Sequence, residues 1–175
     1  MITTEKQDIR TEIKNAVSMS IDIANAYYGT NYPDIESRFD LKGGCAGQFV
    51  MKGGKDYFRF NLILATENWN HFLKVTVPHE VAHYIQRKKF GHYDAYGRRV
   101  PPHGKQWKSI MKNCFGLRPH RCHSYDTSNA RRSTRKVFEY KCKCRTFQFT
   151  SVRHNKVKRG VVYTCQKCHT ACRPA

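Results

Sequence analysis

Apolar residues recur at helical spacing over Thr11–Tyr28. Ile13, Ala16, Val17, Ile21 and Ala24 fall on one face, and Gly29 supplies the stop. The turn signal Asn31-Tyr32-Pro33 follows, and then three short segments of strand character: Ile35–Leu41, Cys45–Met51 and Asp56–Leu62. Gly43-Gly44 and Gly53-Gly54 separate them, which suggests a meander of hairpins. In the third segment Tyr57, Arg59 and Asn61 alternate with Phe58, Phe60 and Leu62, the period-2 pattern of a half-buried strand. Ile63–Asn70 reads as a short helix and Phe72–Lys89 as a long one. Pro78 is tolerated only in a first helical turn, so it moves the start of the long helix to near Thr76 or Val77. After a loop ending in Pro101-Pro102, His103–Phe115 returns to helical spacing through Trp107, Ile110, Met111 and Cys114, and Gly116 stops it. Residues 127–135 are polar and basic with no apolar period, as in a linker, and 136–175 alternate β-prone runs with cysteines. The pattern predicts an α+β fold: helices on a small antiparallel meander sheet over 1–126, a linker, and a β subdomain over 136–175.

The long helix carries His79-Glu80-Val81-Ala82-His83. Positions i and i+4 share a helix face, so both imidazoles can address one metal ion, with Glu80 one residue past the first of them. This is the HExxH arrangement of zinc peptidases. There the ion lowers the pKa of a water from ~15.7 to about 7, and the carboxylate takes the proton. Such a site needs a third protein ligand. The longer pattern, with a histidine six residues on, fails at Lys89, which leaves His92, His103, His120 and His123. His103 is preferred because it opens the next helix after a loop long enough to turn back. Gly104 beside it permits close backbone approach, and Trp107 can pack the new helix on the old one.

Charge changes the picture at the C-terminal end. The net charge of +19 is uneven: residues 127–175 hold thirteen Lys/Arg against Glu139 alone, and residues 1–126 hold nineteen against twelve acids. A cationic body of that kind suits a polyanion, nucleic acid above all. Cys142-x-Cys144 and Cys165-x-x-Cys168 have nearly the spacing of zinc-ribbon knuckles, with His154, His169 and Cys172 as substitutes. A module of roughly 40 residues cannot bury enough apolar surface to fold unaided, so a structural zinc would supply the stability. Cys45, Cys114 and Cys122 read as incidental thiols. Arg131, Arg132, Arg135, Lys136, Lys141, Lys143, Arg145, Arg153, Lys156, Lys158 and Arg159 can neutralise phosphates. Phe138, Tyr140, Phe147, Phe149 and Tyr163 could stack on unpaired bases, but a role in the ribbon's own core is the preferred reading. No run approaches the ~18 apolar residues of a membrane span, and Met1–Arg10 does not resemble a targeting signal. A cytoplasmic or nuclear monomer is the expectation.

Val77-Pro78-His79-Glu80-Val81-Ala82-His83 followed by Pro102-His103-Gly104-Lys105-Gln106-Trp107 resembles the SprT-like metalloprotease family, which includes bacterial SprT and the Spartan-type DNA–protein crosslink proteases. The resemblance extends to Gly44-Cys45-Ala46-Gly47, Arg59-Phe60-Asn61, His123-Ser124-Tyr125-Asp126 and both cysteine pairs. It implies a zincin-like minimal protease domain in which His79, His83 and His103 hold a catalytic zinc and Glu80 is the base. Lys105 and Gln106 stand where the family often has proline and an acid, and neither is a ligand position. The implied function is a zinc-dependent endopeptidase for DNA-associated or DNA-crosslinked proteins, with one catalytic and one structural zinc. The alternative is a zinc-ribbon DNA/RNA-binding adaptor with a vestigial protease site, in which Glu80 would have no use.

Overall fold

A computed structural model describes residues 2–130 and 136–175, with side chains from Asp8 onward. The chain forms two compact units, Met1–Arg131 and Arg132–Ala175. Arg131, Arg132 and Arg135 of the basic set lie outside the described residues.

In the first unit helix α1 (Ile2–Tyr28) buries Ile13, Val17, Ile21 and Ala24. It begins well before Thr11, because Glu5, Lys6, Gln7 and Arg10 are residues of adequate helix propensity that extend an existing helix without needing an apolar stripe. Gly29, at φ +62°, ends it. Strands β1 (Glu36–Arg38), β2 (Gly47–Lys52) and β3 (Lys55–Phe60) form a sheet of order β1-β3-β2. The expected meander is corrected here. β2 and β3 form an antiparallel hairpin over Gly53-Gly54, whereas β1 pairs parallel with β3. The segment 39–46 carries the chain across to the far side of β3, and Asn61 pins it there. The Asn61 amide donates to the carbonyls of Gly43 (3.0 Å) and Cys45 (3.3 Å), and its backbone N–H donates to Ala46 (2.9 Å). The same side chain caps helix α2 (Leu62–Glu67) through the N–H groups of Ile63 and Leu64.

Helix α3 (Trp69–His71) leads through a π-helical turn, Phe72–Thr76, into α4 (Val77–Phe90). The widened turn has a cause. Pro78 offers no N–H to the preceding turn and its ring would crowd a carbonyl there, and the Val77 N–H bonds instead to the Phe72 carbonyl, five residues back. Helix α5 (Lys105–Ser109) likewise runs on into a π turn, Ile110–Cys114. Phe49, Phe58 and Tyr84 pack sheet on α4, with ring centroids 5.7–6.0 Å apart. Residues 127–130, read above as linker, fold back onto this unit: Ala130 is buried, its carbonyl accepts from Gly43 N–H at 2.8 Å, and Asn129 donates to Glu67.

The second unit is a three-stranded antiparallel sheet, β5-β4-β6, built from β4 (Val137–Lys141), β5 (Thr146–Thr150) and β6 (Arg173–Pro174). Helix α6 (Ser151–Lys158) was not expected. It buries none of its residues, so no apolar period marks it in the sequence. Tyr140 and Phe149 are buried, with Phe138, Phe147 and Tyr163 packed against them, so these aromatics make the core of the unit. No helix among the described residues is long and apolar enough to cross a membrane.

Candidate active site

α4 presents His79 and His83 one turn apart, and the loop entering α5 brings His103 to meet them. Their Nε2 atoms form a nearly equilateral triangle with edges of 3.3 Å (His79–His83), 3.1 Å (His83–His103) and 3.3 Å (His79–His103). Three nitrogens ~2.0–2.1 Å from one tetrahedral ion stand ~3.3 Å from each other, so the triangle fits zinc. Nitrogens converging this closely repel protons. Burial, followed by the His103 ring, takes His79 down to about 4, and burial, followed by His79 and His103, takes His83 to about 3. Burial and then Arg121 lower His103. All three rings are thereby kept in the neutral form that ligates a metal.

A second layer holds the rings in place. His79 hydrogen-bonds the His120 backbone and His83 the Gln86 side chain, each of which favours one tautomer. Gln86 also donates to the Pro101 carbonyl at 2.9 Å, tying α4 to the loop that delivers His103. Trp107 is fully buried, lies 4.7 Å from His79 and from His103, stacks on His83 at 5.6 Å, and donates to the His79 carbonyl. Gly104 serves a different purpose from the one expected: an added Cβ would come 3.1 Å from the Pro101 carbonyl, so the tight approach is to the turn and not to the ligands.

Glu80 is 6% exposed and its carboxyl is raised to about 8 by burial, partly offset by the Phe49 N–H, which donates to Oε2 at 2.9 Å. Gly47 makes room for it, since a Cβ there would lie 2.6 Å from Glu80 Cγ and 2.8 Å from Oε1. The sequence pattern does not reveal this dependence of Glu80 on edge strand β2, although a glycine in a strand signals a close approach. The site opens on a cleft of about 1070 Å³ lined by Gly47, Phe49 and Met51 on one side and His79, Glu80 and His83 on the other. His92, His120 and His123 line the cleft without joining the triangle; His123 instead stacks on Tyr125, 4.5 Å away.

In the second unit Cys142, Cys144, Cys165 and Cys168 converge, all four sulfurs lying within 4.8 Å of one another. Cys142–Cys144 is 3.6 Å and Cys144–Cys165 is 3.7 Å. Sulfurs ~2.3 Å from a tetrahedral zinc stand ~3.8 Å apart, so this cluster fits as well. The Thr170 hydroxyl, 3.0 Å away, holds Cys168 down to about 5, while the neighbouring thiols, Cys168 foremost, push Cys144 up to about 12. His154 is turned away, stacked on Phe138 at 3.7 Å, and Cys172 packs in the core. Lys136, Lys141, Lys143, Arg145, Arg153, Lys156, Lys158 and Arg159 are all exposed.

Known proteins bear out the resemblance. The SprT-like family model matches residues 18–123. Protein SprT of Shigella boydii is 40% identical over 146 residues, covering 83% of this chain and 81% of its own. Protein SprT of Escherichia coli K12 is 39% identical over the same shares, and that of Vibrio parahaemolyticus is 34% identical over 93% and 92%. No solved structure matches the chain. A family match through both ligand-bearing elements and relatives that span most of the chain place it: the protein belongs to the SprT-like family.

Proposed function

We propose that this chain is a zinc-dependent endopeptidase acting on DNA-associated or DNA-crosslinked proteins. The observation that carries the reading is a triangle of three neutral imidazoles beside a buried carboxylate that belongs to no ligand set, at the floor of an open cleft. Zinc held by His79, His83 and His103 would acidify a water and polarise a peptide carbonyl. Glu80 would accept the proton from that water and pass it to the departing amine. The Phe49 N–H fixes its orientation. β2 is an edge strand lining the cleft, so an extended substrate can lie along it. Zinc at the four cysteines would hold the second unit together, and its exposed cations would bind nucleic acid by releasing counterions.

The test is cleavage of a DNA-bound protein by wild-type and Glu80→Gln chains, with and without DNA. The substitution removes the proton acceptor and no ligand, so activity is expected to fall 10²–10⁴-fold at two zinc ions per chain. Equal cleavage by the two chains overturns the enzyme reading. One zinc per chain supports the nucleic-acid adaptor instead.

A further inference from the structure

We propose that Arg87 builds a carboxylate-binding subsite at one end of the cleft, selecting substrates with an acidic side chain about two residues from the scissile bond. The inference deepens the peptidase reading and rests on it. His79, His83 and Arg87 follow each other at steps of four on α4, so they share one helix face, and Arg87 lines the same cleft as the histidines. Its Nη1 is buried without a hydrogen-bond partner among the described residues. A buried guanidinium donor left unpaired is costly, and the fork of a guanidinium matches a carboxylate.

Two neighbouring cations have acidic partners. Lys88 pairs with Asp56 at 2.9 Å and Arg98 with Asp94 at 3.0 Å, whereas no such ion pair engages Arg87 among the described residues. Among the described residues Glu80 is the one carboxylate lining the cleft, and it is held by the Phe49 N–H. Arg99 and Arg121 line the cleft as well, adding to its positive potential. The spacing follows from geometry. Arg87 stands one helical turn, ~5.4 Å, beyond His83, and an extended peptide advances ~3.3 Å per residue, which gives about two residues. A peptide suits the place better than a phosphate backbone because the opposite wall, Met51 included, is the free edge of β2.

The test uses fluorescent decapeptides carrying Glu, Gln or Lys at the second position on either side of a central pair. Binding is measured by anisotropy to the zinc-loaded full chain made inert by Glu80→Gln, with Arg87 intact or replaced. At one of the two positions the Glu peptide is expected to bind roughly tenfold more tightly than the Gln peptide. That preference disappears with Arg87→Ala, persists in part with Arg87→Lys, and passes to the Lys peptide with Arg87→Glu. The proposal is overturned by equal binding of Glu and Gln peptides, by no binding of any peptide, or by a preference that survives Arg87→Ala. It is also overturned if Arg87→Ala lowers affinity for a single-stranded oligonucleotide while leaving the peptide ratio alone, because the subsite then reads phosphate. A chain with the binding preference but no cleavage by its Glu80 form keeps the subsite and loses the peptidase.

Discussion

The two ligand clusters stand in opposite relations to their surroundings. The three histidines are carried by a unit whose core holds nineteen buried apolar residues among the described ones, and the elements that position them pack into it. In the second unit the buried core has four members among the described residues, of which two, Cys165 and Cys172, are cysteines, and Cys142 and Cys168 pack against it. The histidine site faces a large cleft, and the cysteine site is complete with four sulfurs. On the proposed reading, one cluster is a tool mounted on a finished fold, and the other is a fastener for a unit with little core of its own.

The sharpest way to break that comparison is to remove metal. Chelation at neutral pH should unfold residues 136–175, whose binding free energy for a structural zinc is about 10–16 kcal/mol in comparable modules, and leave the first unit folded. Amide exchange resolved by residue checks this: protection should vanish in β4 and β5 and persist in α1 and α4. Loss of protection in both units together would make the histidine site structural too.

A smaller effect is expected from deleting 132–175, which removes twelve Lys/Arg and Glu139, a net of +11. Each lost phosphate contact lowers the salt slope by ~0.9 on duplex and ~0.7 on single strands, so binding should weaken and its dependence on salt flatten. Titrations across a salt series, on a truncated chain shown to be folded by circular dichroism, decide it. An unchanged slope would move the nucleic-acid surface to the first unit.

The smallest change sharpens the contrast within the histidine site. Gly47→Ala places a methyl 2.6 Å from Glu80 Cγ while touching no ligand. Overpacking of this kind costs about 1–3 kcal/mol, and the displaced carboxylate should lower kcat with zinc content unchanged. Wild-type kcat in this variant would show that the position of Glu80 is not set by β2.

Much of the site could be read in the sequence because its chemistry is concentrated in short spacings. His79, Glu80 and His83 are set by a helical repeat, and both cysteine pairs by knuckle spacing. His103 required choosing among histidines whose distances in space no local pattern encodes, and the loop tied down by Gln86 settles that geometry. The parallel pairing of β1 was illegible for the same reason, because Asn61 reaches back sixteen and eighteen residues to fix the crossover. Helix α6 escaped because a helix with no buried residue carries no stripe. Gly47 was visible as a glycine, but its partner Glu80 lies thirty-three positions away.

The hydrogen bond from Phe49 to Glu80 also bears on what can pair with the edge of the sheet. β2 is the exposed margin of a sheet, and a strand with a full row of free donors and acceptors invites another chain to add to it. Here the row is interrupted in the middle, since one donor is already taken by a side chain from the helix beneath. An added strand meets a gap at Phe49, which a short substrate segment tolerates better than the continuous ladder of a fibre does.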